Sequence, residues 1–303
     1  MISPTSTVAL AGAGGDLGGR IAAALVSRGA AVRALVRPGL GPAERDRIEA
    51  TGATLVDADP ASVDAMTEAC AGAECVVSAL NGLRDVIVER QDRLLDAAVQ
   101  AGVPRFIPSD YSEDFTRTRT GENRNLDLRR EFMARADRAP IRTTSVLNGA
   151  FMDMLGAEMP LLQPAIHRVL YWGSADQLLD FTTKDDVAAY TAAVALDDTA
   201  PRFLRIAGDS VSARGLAAVM TAVTGDRYRP QWAGSLAVLS AMIRIARLVA
   251  PQPGEVFPAW QGMQYMRDMF SGRGQLHPLD TDRYPDLRWT SVEAMLTERG
   301  IGG

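Results

Sequence analysis

The sequence predicts a doubly wound α/β protein built on a parallel sheet, and three observations carry that reading. Short apolar runs alternate with amphipathic stretches through the first half of the chain. A glycine cluster, Gly12-Ala13-Gly14-Gly15-Asp16-Leu17-Gly18, directly follows the first run and opens the first helical stretch. Beyond Asn148 the alternation loosens into helical stretches separated by Pro and Gly clusters. Strands alternating with helices at such spacing imply βαβ units with right-handed crossovers.

The apolar runs place strands at Thr7–Ala11, Ala31–Val36, Ala53–Val56, Cys75–Leu80, Arg105–Pro108 and Ile141–Leu147. Helical periodicity falls at Leu17–Ser27, Ala43–Ala50, Ser62–Ala69 and Gln91–Gln100, the last stopping at Gly102 ahead of Pro104. The second half predicts helices at Val187–Leu196, Ala213–Val223, Ser235–Leu248 and Ser291–Glu298, broken by Pro251–Gly254 and Ser271–Gly274. Residues 1–150 are read as a Rossmann-type nucleotide-binding domain. Residues 151–303 are read as a smaller, mostly helical substrate lobe, with some elements returning to the sheet. No linker divides the two cleanly.

The strand–turn–helix context gives the glycine cluster chemical meaning. A tight turn that approaches a pyrophosphate needs residues without Cβ, and the helix start behind it supplies amide donors and a favourable dipole. Gly18 and Gly19 let the helix pack closely on the sheet. Cofactor choice is read at the end of the second strand, where an acid accepts the ribose hydroxyls of NAD. Here Val32-Arg33-Ala34-Leu35-Val36-Arg37 contains no acid. Arg37 is placed to pair with a 2′-phosphate through its fork of donors, so NADPH is the expected cofactor.

Composition bounds the alternatives. The chain has 303 residues, 47% hydrophobic and 23% charged, with a formal net charge of −5. That balance argues against general nucleic-acid binding, which needs a basic surface. The N-terminal Met1-Ile2-Ser3-Pro4-Thr5 lacks the basic and apolar segments of a signal peptide. Leu236–Ala250 is interrupted by Arg244 and Arg247 and reads as an amphipathic helix, not a membrane span. A cytoplasmic location is expected, with Cys70 and Cys75 as reduced core residues. His167 and His277 have no carboxylate or cysteine at ligand spacing, so no metal is expected. Lys184 is the only lysine, which limits the side chains able to act as a base.

With those residues placed, the chain resembles the atypical short-chain dehydrogenase/reductases that include the NmrA-like proteins and the isoflavone, pinoresinol–lariciresinol and phenylcoumaran reductases. The resemblance runs through Gly12–Gly18, Ala34–Arg37, Gln91 and the run Ala101-Gly102-Val103-Pro104-Arg105-Phe106-Ile107-Pro108-Ser109-Asp110-Tyr111. It continues through Leu147–Phe151, Phe181–Ala188 and Asp282–Glu293. Carried over by position, it implies that Gly12, Gly15 and Gly18 touch the pyrophosphate, with Gly14 and Leu17 also among the cofactor-binding residues, and that Arg37 holds the 2′-phosphate. It implies that Leu80 and Asn81 lie along the cofactor, with Ser109 and Asp110 near the nicotinamide ribose and Asn148 to Phe151 on the nicotinamide side.

The family's reductases carry a lysine on the helix before the sixth strand. Counting back without gaps from Ile141, Arg129 holds that position, within Leu126-Asp127-Leu128-Arg129-Arg130-Glu131-Phe132. A Tyr-x-x-x-Lys dyad is absent as well. Arginine keeps its proton at physiological pH and cannot be a general base. Three readings stay open. Arg129 is a fixed cation that holds the ribose or stabilises the charge developing on an enolate or phenolate, with Tyr111, Asp110 or water moving the proton. Alternatively, the chain binds NADPH without turnover, or Arg129 is a surface residue and the count is displaced to Arg130.

Two Met-rich stretches, Met152–Leu162 and Met263–Phe270, have core-like spacing but also suit the lining of an apolar or aromatic pocket. The mixed-charge run Glu113–Arg124 reads as a solvated loop over the cleft. The expected function is therefore NADPH-dependent hydride transfer to an aromatic, quinone-like or enone-type molecule. The alternatives are an NADP(H)-sensing regulator working through a protein partner, and non-redox isomerisation or cyclisation on the same fold. A homodimer is compatible with the sequence.

Overall fold

The computed structural model describes residues 6–156 and 159–300. The chain forms two compact units that interleave along the sequence. The first comprises Met1–Asp110, Leu128–Val146 and Val187–Leu204, and the second Tyr111–Asp127, Leu147–Asp186 and Arg205–Gly303.

The first unit is built on β1 (Thr7–Ala11), β2 (Ala31–Val36), β3 (Thr54–Asp57), β4 (Cys75–Ser78), β5 (Arg105–Ile107) and β6 (Arg142–Thr143). These pair in the order β3-β2-β1-β4-β5-β6, every registered pair parallel. The order reverses at β1, so the crevice for a ligand opens at the carboxyl ends of β1 and β4. Helices α1 (Asp16–Ser27), α2 (Pro42–Glu49), α3 (Val63–Cys70) and α4 (Gln91–Gln100) connect the strands, and a π-helical turn, Asp85–Arg90, leads into α4. The Ser62 hydroxyl caps α3 by accepting the Ala65 amide, and Gly102, at φ +70°, lets the chain leave α4. Apolar side chains of β1, β4, α3 and α4 close over the sheet with Phe106 and Phe132, whose ring centroids lie 6.1 Å apart.

Helix α5 (Arg124–Ala136) precedes β6. The expected sixth strand is not continuous. Arg142–Thr143 pairs with β5, whereas Ser145–Leu147 (β7) leaves that sheet. The Thr144 amide still bonds to Phe106 O, but the next amide, Ser145 N, bonds to Arg202 O. The remaining elements are β8 (Ala150–Phe151), β9 (Leu162–Gln163), β10 (Arg168–Trp172), β11 (Leu178–Thr182), α6 (Lys184–Leu196), β12 (Phe203–Arg205), β13 (Asp209–Ser212) and α7 (Ala213–Thr224). They end with β14 (Arg229–Gly234), α8 (Leu236–Val249), α9 (Ala259–Phe270) and α10 (Val292–Glu298). Strand β7 pairs with β12. In the first unit, the Arg105 guanidinium donates to the Val194 and Asp197 carbonyls at the end of α6. That placement puts a cation where the helix dipole is negative.

In the second unit helices predominate, with two three-stranded sheets, β14-β10-β9 and β13-β11-β8. Helices α7, α8 and α10 each start on a serine, Ser212, Ser235 and Ser291, whose hydroxyl accepts an amide of the first turn. The Met-rich stretches contribute chiefly to the core here. Met152, Met159, Met266, Met269 and Phe270 are buried together with Trp172, Phe181 and Leu216.

The run read as a solvated loop is internal at its two ends. Glu113, Asp114, Phe115 and Asn123 are buried, because the fold supplies polar partners that composition does not reveal. Asp114 pairs with Arg205 at 2.7 Å, and Asn123 bonds to Asp268 and Gln261. Only its middle, from Thr116 to Gly121, is exposed, apart from the buried Thr118.

Candidate functional site

The glycine turn is shaped first by the protein itself. Gly12 has φ +91°, and a Cβ there would lie 2.5 Å from Ala79 O at the end of β4. A Cβ on Gly18 would overlap Gly12 O, so α1 packs against the turn only through a glycine. Gly15 differs, since a Cβ there meets nothing nearer than 3.4 Å. Gly15 is the N-cap of α1, and no side chain caps this helix. A helix start without a side-chain cap is open to an anion. Leu17 stands half-buried in the first turn of α1. Gly14 is flanked by α2: Arg47 Nη2 donates to Gly14 O at 3.3 Å, and the Glu44 carboxylate occupies the space a Gly14 Cβ would take.

Arg37 is exposed directly after β2. The neighbouring strand end carries an acid, since Asp57 is registered beside Val36. Arg45 holds Asp57 through two bonds of 2.8 and 3.0 Å. That hydrogen bonding keeps the Asp57 carboxyl below its usual range, outweighing the small effect of burial. The acid at the neighbouring strand end is thereby paired with an arginine.

Beyond β4, Leu80 is half-buried and Asn81 exposed. The Ser109 hydroxyl donates to Leu80 O, tying the ends of β4 and β5 together. Buried Gln91 completes this arrangement. Its Oε1 accepts the Ser109 amide at 2.9 Å, while its Nε2 donates to Ile87 O at 2.6 Å.

Asp110 is fully buried, and its Oδ2 accepts the Ser145 hydroxyl at 2.6 Å. Ser145 Oγ in turn accepts Arg202 Nη1 at 2.7 Å, and Arg202 Nε donates to Asp137 at 2.7 Å. Burial pushes the Asp110 carboxyl up; the Ser145 hydrogen bond and the charges of Arg129 and Arg202 oppose that rise. Arg129, on α5, is only 7% exposed. Its burial removes the reading of Arg129 as a surface residue.

Three candidates lie in the second unit. Tyr111 is buried. Ser112 O accepts the amides of Asn148 and Gly149 at 2.9 and 3.1 Å, and Thr182 Oγ1 donates to Asn148 O. The Asn148 side chain is 0% exposed, yet neither its Oδ1 nor its Nδ2 has a hydrogen-bond partner among the described residues. An unsatisfied buried amide is costly and calls for an explanation. Phe151 is half-buried beside Thr182, where β8 pairs with β11.

The NmrA-like family profile matches residues 4–283. The chain belongs to the NmrA-like family. Among relatives of this NmrA-like protein, pinoresinol reductase 2 of Arabidopsis thaliana is 28% identical over 200 residues. That match covers 61% of this chain and 63% of the relative's length. A bifunctional pinoresinol-lariciresinol reductase of Linum perenne is 27% identical over 239 residues, 73% of this chain and 76% of that protein. Among solved structures, AtPrR2 with NADP+ and (+)pinoresinol superposes with a TM-score of 0.81 at 22% identity, covering 98% and 99% of the two chains. The leucoanthocyanidin reductase–NADPH complex from Vitis vinifera gives 0.80 at 19% identity, covering 97% and 99%. These likenesses establish the fold.

Four side chains of this NmrA-like protein were not singled out by sequence reasoning. Arg47 and Glu44 flank the glycine turn, and Ser145 and Arg202 serve Asp110. Arg47 lies 33 residues from Gly14 and Arg202 lies 57 from Ser145, so no local spacing marks either. Among the described residues, no cluster of His, Cys, Asp and Glu could hold a metal, and no helix is long and apolar enough to cross a membrane.

Proposed function

We propose that this protein is an NADPH-dependent reductase acting on an aromatic, quinone-like or enone-type small molecule. The observation that carries the reading is Arg129, a permanently charged side chain buried on α5 and electrostatically coupled to buried Asp110. A fixed cation in a low-dielectric setting is suited to stabilising charge that develops in a transition state. The reductases and NADP(H) complexes among the relatives support the same chemistry.

The uncapped start of α1 behind Gly15 suits the pyrophosphate, and Arg37, with Asp57 neutralised by Arg45, suits a 2′-phosphate. Leu80, Asn81, Ser109, Asn148 and Phe151 complete the proposed cofactor set, and the unpartnered Asn148 amide is of a type that can bond a carboxamide. NADPH supplies the hydride when bound. The Arg129 guanidinium would stabilise the negative charge that reduction places on a substrate oxygen. Tyr111 or water would supply the proton. Asp110, engaged by Ser145, is a positioning residue that holds the end of β5 and partners the charge on Arg129.

The test is NADPH binding by fluorescence, followed by loss of NADPH absorbance with a quinone, enone and lignan panel that includes pinoresinol. Consumption that Arg129→Ala abolishes while NADPH binding survives supports the reductase. Binding without consumption of any acceptor moves the assignment to an NADP(H)-sensing regulator, a reading that arginine in place of a proton-shuttling lysine favours. No binding removes both.

A further inference from the structure

A surface cavity in the second unit, separate from every residue assigned above, contains two arginines and one buried indole. It measures about 270 Å³ and is lined by Arg124, Arg247, Pro251, Pro253 and Trp260. That volume is far larger than a water site and close to the small end of ligand pockets. The Arg124 and Arg247 guanidinium carbons lie 4.7 and 5.2 Å from the centroid of the same Trp260 ring.

Two like charges converging on one ring repel unless an anion lies with them. Neither guanidinium has one among the described residues. Arg124 donates only to neutral oxygens: Asn125 Oδ1, Glu255 O and Val256 O. Arg247 makes no hydrogen bond or ion pair among the described residues. The nearest acid in sequence, Glu255, has its carboxylate engaged by Gln252 Nε2 at 3.1 Å. Burial holds the Arg124 guanidinium below its usual value; Tyr265 opposes that shift and the charge of Arg247 adds to it.

The cavity is also stiff. Trp260 Nε1 donates to Pro251 O at 3.0 Å, which fixes the indole, and Pro251 and Pro253 restrict the wall. Arg124 is anchored by its carbonyl acceptors, so its free edge is preorganised. Both ends of a ligand are thereby specified, a carboxylate for the guanidinium forks and a flat apolar body for the prolines and indole.

We infer that the Arg124–Arg247–Trp260 cavity is a binding site for a small aromatic carboxylate. The assignment stands whether or not the protein proves to be a reductase.

The test is calorimetric titration of the full chain with 2-naphthoate, its neutral isostere 2-naphthamide, and inorganic phosphate. The expected result is saturable 2-naphthoate binding, with 2-naphthamide and phosphate each weaker by about tenfold or more. Arg247→Ala, which removes no intramolecular hydrogen bond, should weaken 2-naphthoate by a similar factor and leave NADPH binding and Tm unchanged. Arg247→Lys should fall between the two, because it retains charge without the fork. No binding of 2-naphthoate up to about 10 mM overturns the site, as does binding that Arg247→Ala leaves intact. Equal affinity for 2-naphthamide overturns the role of charge, and equal affinity for phosphate overturns the aromatic class.

Discussion

Ser145 donates its hydroxyl to Asp110 Oδ2 at 2.6 Å while accepting Arg202 Nη1 at 2.7 Å. The serine stands between a buried acid and a cation, at the point where β7 leaves the main sheet. Ser145→Ala strips a buried carboxylate of a donor, a loss of about 1–3 kcal/mol. Urea unfolding should show the deficit largest above the raised titration range of Asp110 and shrinking as the acid protonates. A deficit independent of pH would contradict a charge-assisted bond.

Glu113 predicts a pH dependence in the second unit. It is 3% exposed, neither carboxyl oxygen has a hydrogen-bond partner among the described residues, and it packs against Gly274. Burial raises its pKa well above the usual 4.5, helped by the charges of Asp268, Asp114 and Asp180 and opposed by Arg267. The folded form therefore keeps a proton that the unfolded form releases above about pH 4.5. Stability should fall as pH rises from there through the folded titration range. Glu113→Gln, neutral throughout, should flatten that slope and unfold at a higher Tm than wild type at pH 8, with little difference near pH 4. Equal slopes would mean that Glu113 is ionised in the native protein.

The glycines of the turn should separate by function. Gly18→Ala places a Cβ against Gly12 O and should destabilise by about 1–3 kcal/mol or more. Gly15→Ala has room for its Cβ and should change stability by about 1 kcal/mol or less. On the cofactor assignment, it should nonetheless weaken NADPH binding at least as much as Gly18→Ala weakens it in the surviving folded fraction. Thermal melts paired with NADPH titrations distinguish the two.

Cofactor preference should depend on two arginines. Arg37→Ala is expected to lower NADPH affinity by about tenfold or more while leaving NADH almost unchanged. Arg45→Ala should act in the same direction by unmasking the Asp57 carboxylate beside Val36. Fluorescence titrations with both cofactors measure this. A parallel loss for NADH would place Arg37 away from the 2′-phosphate.

The chain's local patterns by themselves determined the alternation of strands and helices, the glycine turn behind β1 and the family. Those features repeat at spacings of 2 or 3.6 residues or sit in contiguous runs, and the backbone obeys them locally. Tertiary structure alone decided the partners. Ser145 lies 35 residues from Asp110 and Arg202 lies 57 from Ser145, and they meet because β7 turns from β6 toward β12. Glu113 and Asp114 look like solvated charges in sequence but are buried, since Arg205, 91 residues from Asp114, supplies its ion pair. Likewise Arg124, at the start of α5, and Arg247, on α8, share one indole on α9 only through tertiary packing. Periodicity records which face of an element is apolar; whether a charge is solvated, paired or left for a ligand depends on residues far away in the chain.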